Sequence, residues 1–318
     1  MNSLIRKYFI FHCPPIQSSD QREKVSAFEN HSSFSYHRSV FTLTTGMLLS
    51  IHSFLFLLAG GFVAGTFGAL LGLGGGVLLI PFLVIVLGVP MHQAIATSII
   101  AVIATSSAGA AMNLERRVVN MRLGMLLEIA TVAGAILGGM TANYLSASVL
   151  TKLFSGLLLF VAVIMIWRTR QNNGKEMITA NGVLSGTFID VSSGKSIIYT
   201  VKKVPAVMCV SLVAGNVSGL LGVGGGIFKV PAMHIISGIP MKAATATSNF
   251  MIGVTAAASA FIYFAHGHIN PFIASTAALG VLAGSMIGVR ISRKIRSTVL
   301  TWIFAVVLLV VSLQLFLR

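Results

Sequence analysis

Two glycine-rich segments of this sequence are best suited to bind an anion. They read GLGGG at 72–76 and GVGGG at 222–226, and each leads into a short apolar stretch that contains a proline. Glycine lets the backbone approach a ligand closely, and a helix starting there points free N–H groups and a positive dipole end at it. The candidate anion-binding glycines are Gly74, Gly75, Gly76, Gly224, Gly225 and Gly226. The alternative is that these glycines only permit close helix crossings.

Hydroxyl and amide side chains lie at matching places beyond each glycine segment. The sequence is Ala-Thr-Ser at 96–98 and Ala-Thr-Ser-Asn at 246–249. Such groups can donate hydrogen bonds to an anion without adding charge, although hydroxyls also cap contacts between membrane helices. The candidate substrate-binding residues here are Thr97, Ser98, Thr247, Ser248 and Asn249.

Two charged residues lie inside apolar segments, where an ion is costly and usually functional. Lys229 follows the second glycine cluster, at the place where the first copy has Leu79. It could neutralise a bound anion, or extend its amine to the membrane interface. Glu128, whose counterpart is Ala278, is a candidate for carrying a coupling proton. The other interpretation is a structural carboxyl paired with Arg122 or with a base on another helix.

These residues belong to an internal duplication. Residues 70–98 and 220–248 match without gaps, and every matching pair differs by 150 in residue number. Examples are Pro81 with Pro231 and Ser98 with Ser248. A repeat of this length indicates two copies of one structural unit.

The composition is that of a membrane protein. Hydrophobic residues make up 55% of the chain and charged residues only 9%, with a mean hydropathy of +0.91. Soluble domains carry roughly 25% charged residues, and several apolar runs reach the ~20 residues that span a bilayer as helix. We therefore predict an all-α, polytopic helical membrane protein. The unbroken apolar runs argue against a barrel.

The predicted organisation has two membrane repeats. Each repeat is expected to contain a helix broken by glycine and a re-entrant half-helix, and the connecting loop is expected to form a small β-hairpin. The boundaries are a flexible tail at 1–45, the first repeat at 46–168, a cytoplasmic loop at 169–203 and the second repeat at 204–318.

The net charge of +15 is concentrated in short turns. Basic turns are typical of the cytoplasmic side of a membrane, so this charge predicts sidedness and no nucleic-acid partner. Matching turns of the two repeats then fall on opposite sides, which predicts an inverted repeat. The turns predicted inside are 115–122, 168–203 and 290–296, and those predicted outside are 144–147 and 265–270.

Motifs for catalysis, nucleotides or metals are missing from the sequence. Ser193-Gly194-Lys195-Ser196 resembles the end of a P-loop, but Ile189 stands where that motif needs glycine. We therefore expect no enzyme activity, no cofactor and no metal. The lack of a nucleotide motif also favours a transporter driven by an ion or proton gradient over a primary pump.

The doubled pattern GxGGG-x4-P, G-[VI]-P-M and A-T-S at 72–98 and 222–248 resembles the sulfite exporter TauE/SafE family of membrane transporters. The resemblance covers about 46–318 and implies a multi-span protein of the bacterial inner membrane. It also implies export, or sometimes uptake, of small sulfur-containing anions such as sulfite or organosulfonates.

From the residues and the resemblance together we expect a secondary transporter of a small anion. The anion would be held where the two glycine breaks meet, near the midplane of the lipid bilayer. A passive anion channel and a membrane scaffold without a solute are the alternatives. The sequence leaves homo-oligomerisation, the substrate and the direction of transport open.

Overall fold

The structure, a computed structural model, describes residues 51–71, 74–115, 118–170, 186–189, 196–291 and 297–317. The predicted tail at 1–45 lies outside the described residues. So do Gly72, residues 171–185 and 190–195 of the loop, and the basic turn at 292–296.

Ten α-helices, one short π-helix at Phe82–Val86 directly after the second of them, and two short strands follow one another in the described part of the chain. The first half contains α1 Ile51–Leu71, α2 Gly76–Pro81, α3 Met91–Glu115, α4 Met121–Tyr144 and α5 Ala147–Arg170. The strands β1 Gly186–Ile189 and β2 Ser196–Tyr199 come next. The second half contains α6 Val204–Leu221, α7 Gly226–Ile235, α8 Met241–Ala265, α9 Pro271–Ile291 and α10 Ser297–Phe316.

The predicted fold class is confirmed. Six of the described helices, α3 to α6, α8 and α9, are long and apolar enough to cross a membrane. Shorter apolar stretches lie at Phe54–Ala69, Gly76–Val86 and Phe304–Phe316. The chain is an all-α, multi-pass membrane protein.

Glycines end α6 and begin the short helices α2 and α7. Gly222 follows α6 with φ 69°, and Gly225 precedes α7 with φ 66°. In the first half Gly75 precedes α2 with φ 74°. Positive φ values strain residues that carry a Cβ, so these positions explain why glycines stand where the helical path is interrupted.

Three hydroxyl groups cap carbonyl oxygens at the two interruptions. Ser98 Oγ donates to the Gly222 carbonyl at 2.8 Å. Thr105 Oγ1 lies 3.2 Å from the Gly74 carbonyl, and Tyr263 donates to the Leu220 carbonyl at 3.2 Å. Lipid cannot donate hydrogen bonds to the free carbonyls of an interrupted helix. These hydroxyl groups supply the donors that lipid does not.

Helices α3 and α8, which match in the duplication, run antiparallel. A methyl group on Gly109 would lie 3.8 Å from the Asn249 amide nitrogen, and one on Gly253 would lie 2.7 Å from Ser106 Oγ. Residues late in α3 therefore face residues early in α8.

Helix backbones from opposite halves touch through glycine. Gly134 and Gly138 on α4 lie against the carbonyls of Leu212 and Asn216 on α6, and Gly215 lies against Thr131. Helices α1 and α9, which correspond to α6 and α4 in the duplication, meet in the same way. Small residues allow this close approach between membrane helices, so the two halves form one interlocked bundle.

The two strands form an antiparallel pair in which Gly186 lies opposite Tyr199. Tyr199 is only 2% exposed and packs with Leu123 and Leu127 of α4. Burial raises the pKa of the Tyr199 hydroxyl, and a hydrogen bond with Asn120 opposes that shift. The hairpin and the turn before α4 therefore lie on one face of the protein.

Histidines lie on the opposite face. The rings of His92 and His268 stack with centroids 5.0 Å apart, and His266 is 6.4 Å from His268. His92 Nε2 lies 3.2 Å from both the Ala142 and Leu145 carbonyls, so it donates the hydrogen. The turns at 144–147 and 265–270, both predicted to lie outside the membrane, are thus close to each other through His92.

Replacing Gly138 with alanine should destabilise the bundle, because the new methyl would meet the Asn216 carbonyl. Overpacking of this kind costs about 1–3 kcal/mol, measurable as a lower thermal midpoint in detergent. Gly156→Ala is the matched control, since its methyl would meet nothing within 4 Å. Equal effects of the two substitutions would contradict the close packing of α4 and α6.

Acid should weaken the histidine face. Burial lowers the pKa of His268 below its ordinary value of 6.5, and the charges of His92 and His266 lower it further. A lowered pKa in the fold means that the unfolded chain binds protons first, so stability is lost as the pH falls below 6.5. His268→Gln should lose less thermal stability than the parent on acidification. Identical pH profiles would show that His268 contributes nothing to this loss.

Candidate functional site

The two helix interruptions lie side by side in the bundle. A methyl group on Gly76 would lie 2.9 Å from the Gly222 carbonyl oxygen and 2.5 Å from Ser98 Oγ. One on Gly226 would lie 3.3 Å from Ser248 Oγ. The start of α2 in the first half is therefore packed against the end of α6 in the second.

A small cavity of about 50 Å³ opens beside the first interruption. Both halves contribute to its wall, and none of the residues that line it is charged. Its polar lining residues are Thr105, Ser106, Asn249 and Ser285, and its other lining residues include Gly68, Gly74, Gly109 and Met112. A water molecule needs roughly 10–15 Å³ by this kind of measure, so the cavity has room for a few waters or one small anion.

The polar groups of this cavity differ in their readiness to donate a hydrogen. Ser106 Oγ donates to the Ile103 carbonyl at 3.0 Å, and Ser285 Oγ donates to Leu282 at 2.8 Å. Both carbonyls belong to the same helix as the donor. A hydroxyl hydrogen can rotate to another acceptor. The Asn249 amide carries two fixed donors at the edge of the cavity.

A charged pair lies buried between the halves. Lys229 on α7 is fully buried, and its Nζ lies 3.9 Å from Glu128 Oε2 on α4. Lys229 Nζ donates to Thr255 Oγ1 at 2.9 Å, and Thr255 in turn donates to Glu128 Oε1 at 2.7 Å. Thr131 Oγ1 lies 3.4 Å from the same threonine oxygen. The pair therefore shares one bridging hydroxyl.

The structure divides the predicted site residues into separate groups. Gly74 and Asn249 line the polar cavity. Ser98 caps the Gly222 carbonyl. Thr247 Oγ1 accepts a hydrogen bond from the backbone N–H of Asn120 at 3.0 Å.

The remaining predicted residues lie in the interior and do not themselves line that cavity. The hydroxyls of Thr97 and Ser248 are buried and have no hydrogen-bond partner in the described part of the chain. Gly75 and Gly225 pack against the preceding helices, and Gly224 packs against Ile252.

Three polar residues of the cavity, Thr105, Ser106 and Ser285, were missed by sequence reasoning. The duplication held a signal for one of them, because Thr105 and Thr255 occupy matching places. Thr105 contacts the first interruption and Thr255 bridges the charged pair. Of the two matching threonines, Thr105 thus lines the cavity and Thr255 bridges the ion pair.

Two larger cavities, of about 390 and 400 Å³, are almost entirely apolar. They lie at matching places beside α2 and α7, and they offer few groups that could hold an ion. The first is lined by Phe56, Phe67, Phe82 and Phe304, and the second by Leu153, Phe160, Leu220 and Phe228.

Comparison with known proteins supports a transport role. The family model "Sulfite exporter TauE/SafE" matches residues 57–315. A probable membrane transporter protein of Bacillus subtilis, YunE, is 26% identical over 270 residues, covering 83% of this chain and 97% of its own.

Similar proteins occur in other organisms. A probable membrane transporter protein of Methanocaldococcus jannaschii is 25% identical and covers 74% of this chain and 85% of its own. One of Xylella fastidiosa is 24% identical and covers 83% of this chain and 95% of its own. No solved structure matches the chain.

Breaking the buried pair of Lys229 and Glu128 should lower the free energy of unfolding. Glu128→Leu leaves Lys229 without its counter-ion, and an unpaired buried charge costs about 3–5 kcal/mol. The double variant Glu128→Leu with Lys229→Leu should regain most of that loss, because apolar residues of similar volume replace both ions. Thermal unfolding in detergent measures both. A double variant no more stable than the single one would contradict the pairing.

Proposed function

This chain belongs to the sulfite exporter TauE/SafE family and is a membrane transporter, and from that premise we propose that it carries a small sulfur-containing anion by secondary transport. Sulfite is the first candidate and a small organosulfonate the second. The protein would act in the cell membrane of a bacterium. An ion or proton gradient would drive it.

One observation carries this proposal, the uncharged cavity beside the first interruption, to which four polar side chains contribute. Its wall comes from both halves, as expected for a transport site at the interface of two repeats. The Asn249 amide would donate to the anion, and the hydroxyls of Thr105 and Ser106 would rotate towards it. Gly74 would bring the backbone close to the bound anion.

The other predicted site residues fit a cycle in which the two interruptions alternate. We propose that Gly224, Gly225 and Gly226 offer the anion the backbone N–H groups at the start of α7 in a second state of the transporter. The unpartnered hydroxyls of Thr97 and Ser248 would complete hydrogen bonds in that state. The antiparallel course of α3 and α8 supports the inverted repeat that such a cycle needs.

The test is anion binding to the purified protein, followed by uptake into proteoliposomes. Thermal shift with sulfite, sulfate, thiosulfate, sulfoacetate and chloride would identify the ligand, and radiolabelled uptake would measure its transport. Asn249→Ala and Thr105→Val should weaken binding about 10- to 100-fold, the size expected for losing a hydrogen bond to a charged group.

Matched controls lie on α4, away from the cavity. Asn143 donates to the Gly139 carbonyl at 2.9 Å, and Thr141 donates to Leu137 at 2.7 Å. Asn143→Ala and Thr141→Val should leave affinity unchanged. Equal losses in the cavity and control variants would refute the assigned site. Binding of no anion by the folded protein would favour a scaffold, and flux that never accumulates solute against a gradient would favour a channel.

A further inference from the structure

The buried pair of Lys229 and Glu128 gives the proposed transporter a place to carry a proton. We propose that Glu128 takes up one proton when a monovalent anion binds, so that proton and anion load together. This inference rests on the proposed function and adds the coupling ion and its ratio to the substrate.

The argument begins with charge balance. In the structure the ammonium of Lys229 and the carboxylate of Glu128 neutralise each other in an apolar part of the bundle. A proton that binds Glu128 leaves the charge of Lys229 uncompensated, which is costly where the dielectric constant is low. A monovalent anion that enters at the same time restores neutrality. No covalent bond other than the carboxyl O–H forms or breaks.

Geometry identifies the oxygen that would receive the proton. Glu128 Oε1 accepts the hydrogen of Thr255 at 2.7 Å. Oε2 is buried and has no hydrogen-bond partner among the residues that the structure describes, and Lys229 Nζ is 3.9 Å away from it. Oε2 therefore has a free lone pair, and a proton there would leave the Thr255 bridge to Lys229 unchanged.

The pair of Lys229 and Glu128 is close enough to the cavity to interact electrostatically with an anion bound there. Asn249 at the cavity and Thr255 at the pair are both on α8, six positions apart, or about 9 Å along the axis at 1.5 Å per residue. Two charges at that separation in a protein interior change each other's binding by roughly tenfold or more. The anion therefore need not touch Lys229.

Other titratable groups around Glu128 make no contact that could replace Lys229. The described elements packed against it are α6, α7 and α8, and Tyr199 of β2 packs beside Leu127. Cys209 on α6 is exposed, His234 on α7 bonds the Ile239 carbonyl, and Tyr263 on α8 bonds Leu220. In the described part of the chain, Lys229 is the one charged group within ion-pair distance of Glu128.

Infrared difference spectroscopy of the reconstituted full chain tests the proposal directly. A pH titration should produce a protonated-carboxyl band that is missing in Glu128→Gln. Adding the anion that the parent protein binds, with sulfite as the first probe, should shift that titration to higher pH by about two units or more, since a smaller shift would mean that less than one proton is taken up per anion. The reason is that coupling between proton and anion is reciprocal.

Uptake measurements supply the second readout. With one proton per anion, the apparent anion affinity of the parent should fall about tenfold per pH unit between the titration of Glu128 without the anion and its titration with the anion bound. That dependence should be lost in Glu128→Gln and in the double variant Glu128→Leu with Lys229→Leu, whose folding is checked by its melting temperature. Methanesulfonate, a monovalent organosulfonate that does not take up a proton itself in this range, controls for the titration of sulfite.

The outcomes separate this inference from the function on which it rests. An anion that is transported but leaves the Glu128 titration unmoved would overturn the coupling and keep the proposed function. The lack of a Glu128 band at any pH would do the same. If no anion is bound or carried by the parent protein, the proposed function itself fails and the coupling fails with it.

Discussion

Lipid cannot form hydrogen bonds with an interrupted helix, and this constraint governs the structure. Each half breaks its path at a glycine cluster, and each break must find its partners inside the protein. The chain meets this need by packing the breaks against each other and by placing hydroxyls on the crossing helices. Ser98 on α3 caps the opposite half, through the Gly222 carbonyl, and Thr105 on the same helix reaches Gly74 of its own half. The breaks thus hold the halves together.

Close backbone packing is the second part of the same solution. The breaks can meet only if the helices around them approach each other more closely than large side chains allow. The glycines of α4 and α6 permit this, because their backbones lie in direct contact. Reciprocal hydrogen bonds between Ser155 and Ser312, at 2.7 and 2.9 Å, join the last helices of the two halves in a similar way. Small residues thus lie at the contacts where the halves interlock.

Much of the fold could be predicted from the sequence, because local signals mark it. The apolar runs predicted a polytopic helical membrane protein, and six long apolar helices in the described part of the chain confirm it. The pairing of Lys229 with Glu128 could not be predicted in the same way, because it depends on how α4 of one half packs against α7 of the other. The sequence identified Lys229 and Glu128 as charged residues in apolar segments. It left open whether Glu128 pairs with a basic residue on another helix. Only the fold identifies that partner.

The candidate site was harder to predict because one residue type serves two purposes. A serine near a glycine break can bind a substrate or cap the break, and its sequence is the same in both cases. Ser98 caps, whereas Asn249, one position beyond the matching serine, faces the cavity. Thr105 could have been found by following the repeat further, since Thr255 matches it. The places that match the ion pair are apolar: Leu79 in the first half matches Lys229, and Ala278 in the second half matches Glu128. Leu79 is fully buried, and an apolar residue there needs no charge partner. The duplicated scaffold therefore holds an ion pair at one interface between the halves and apolar residues at the matching interface.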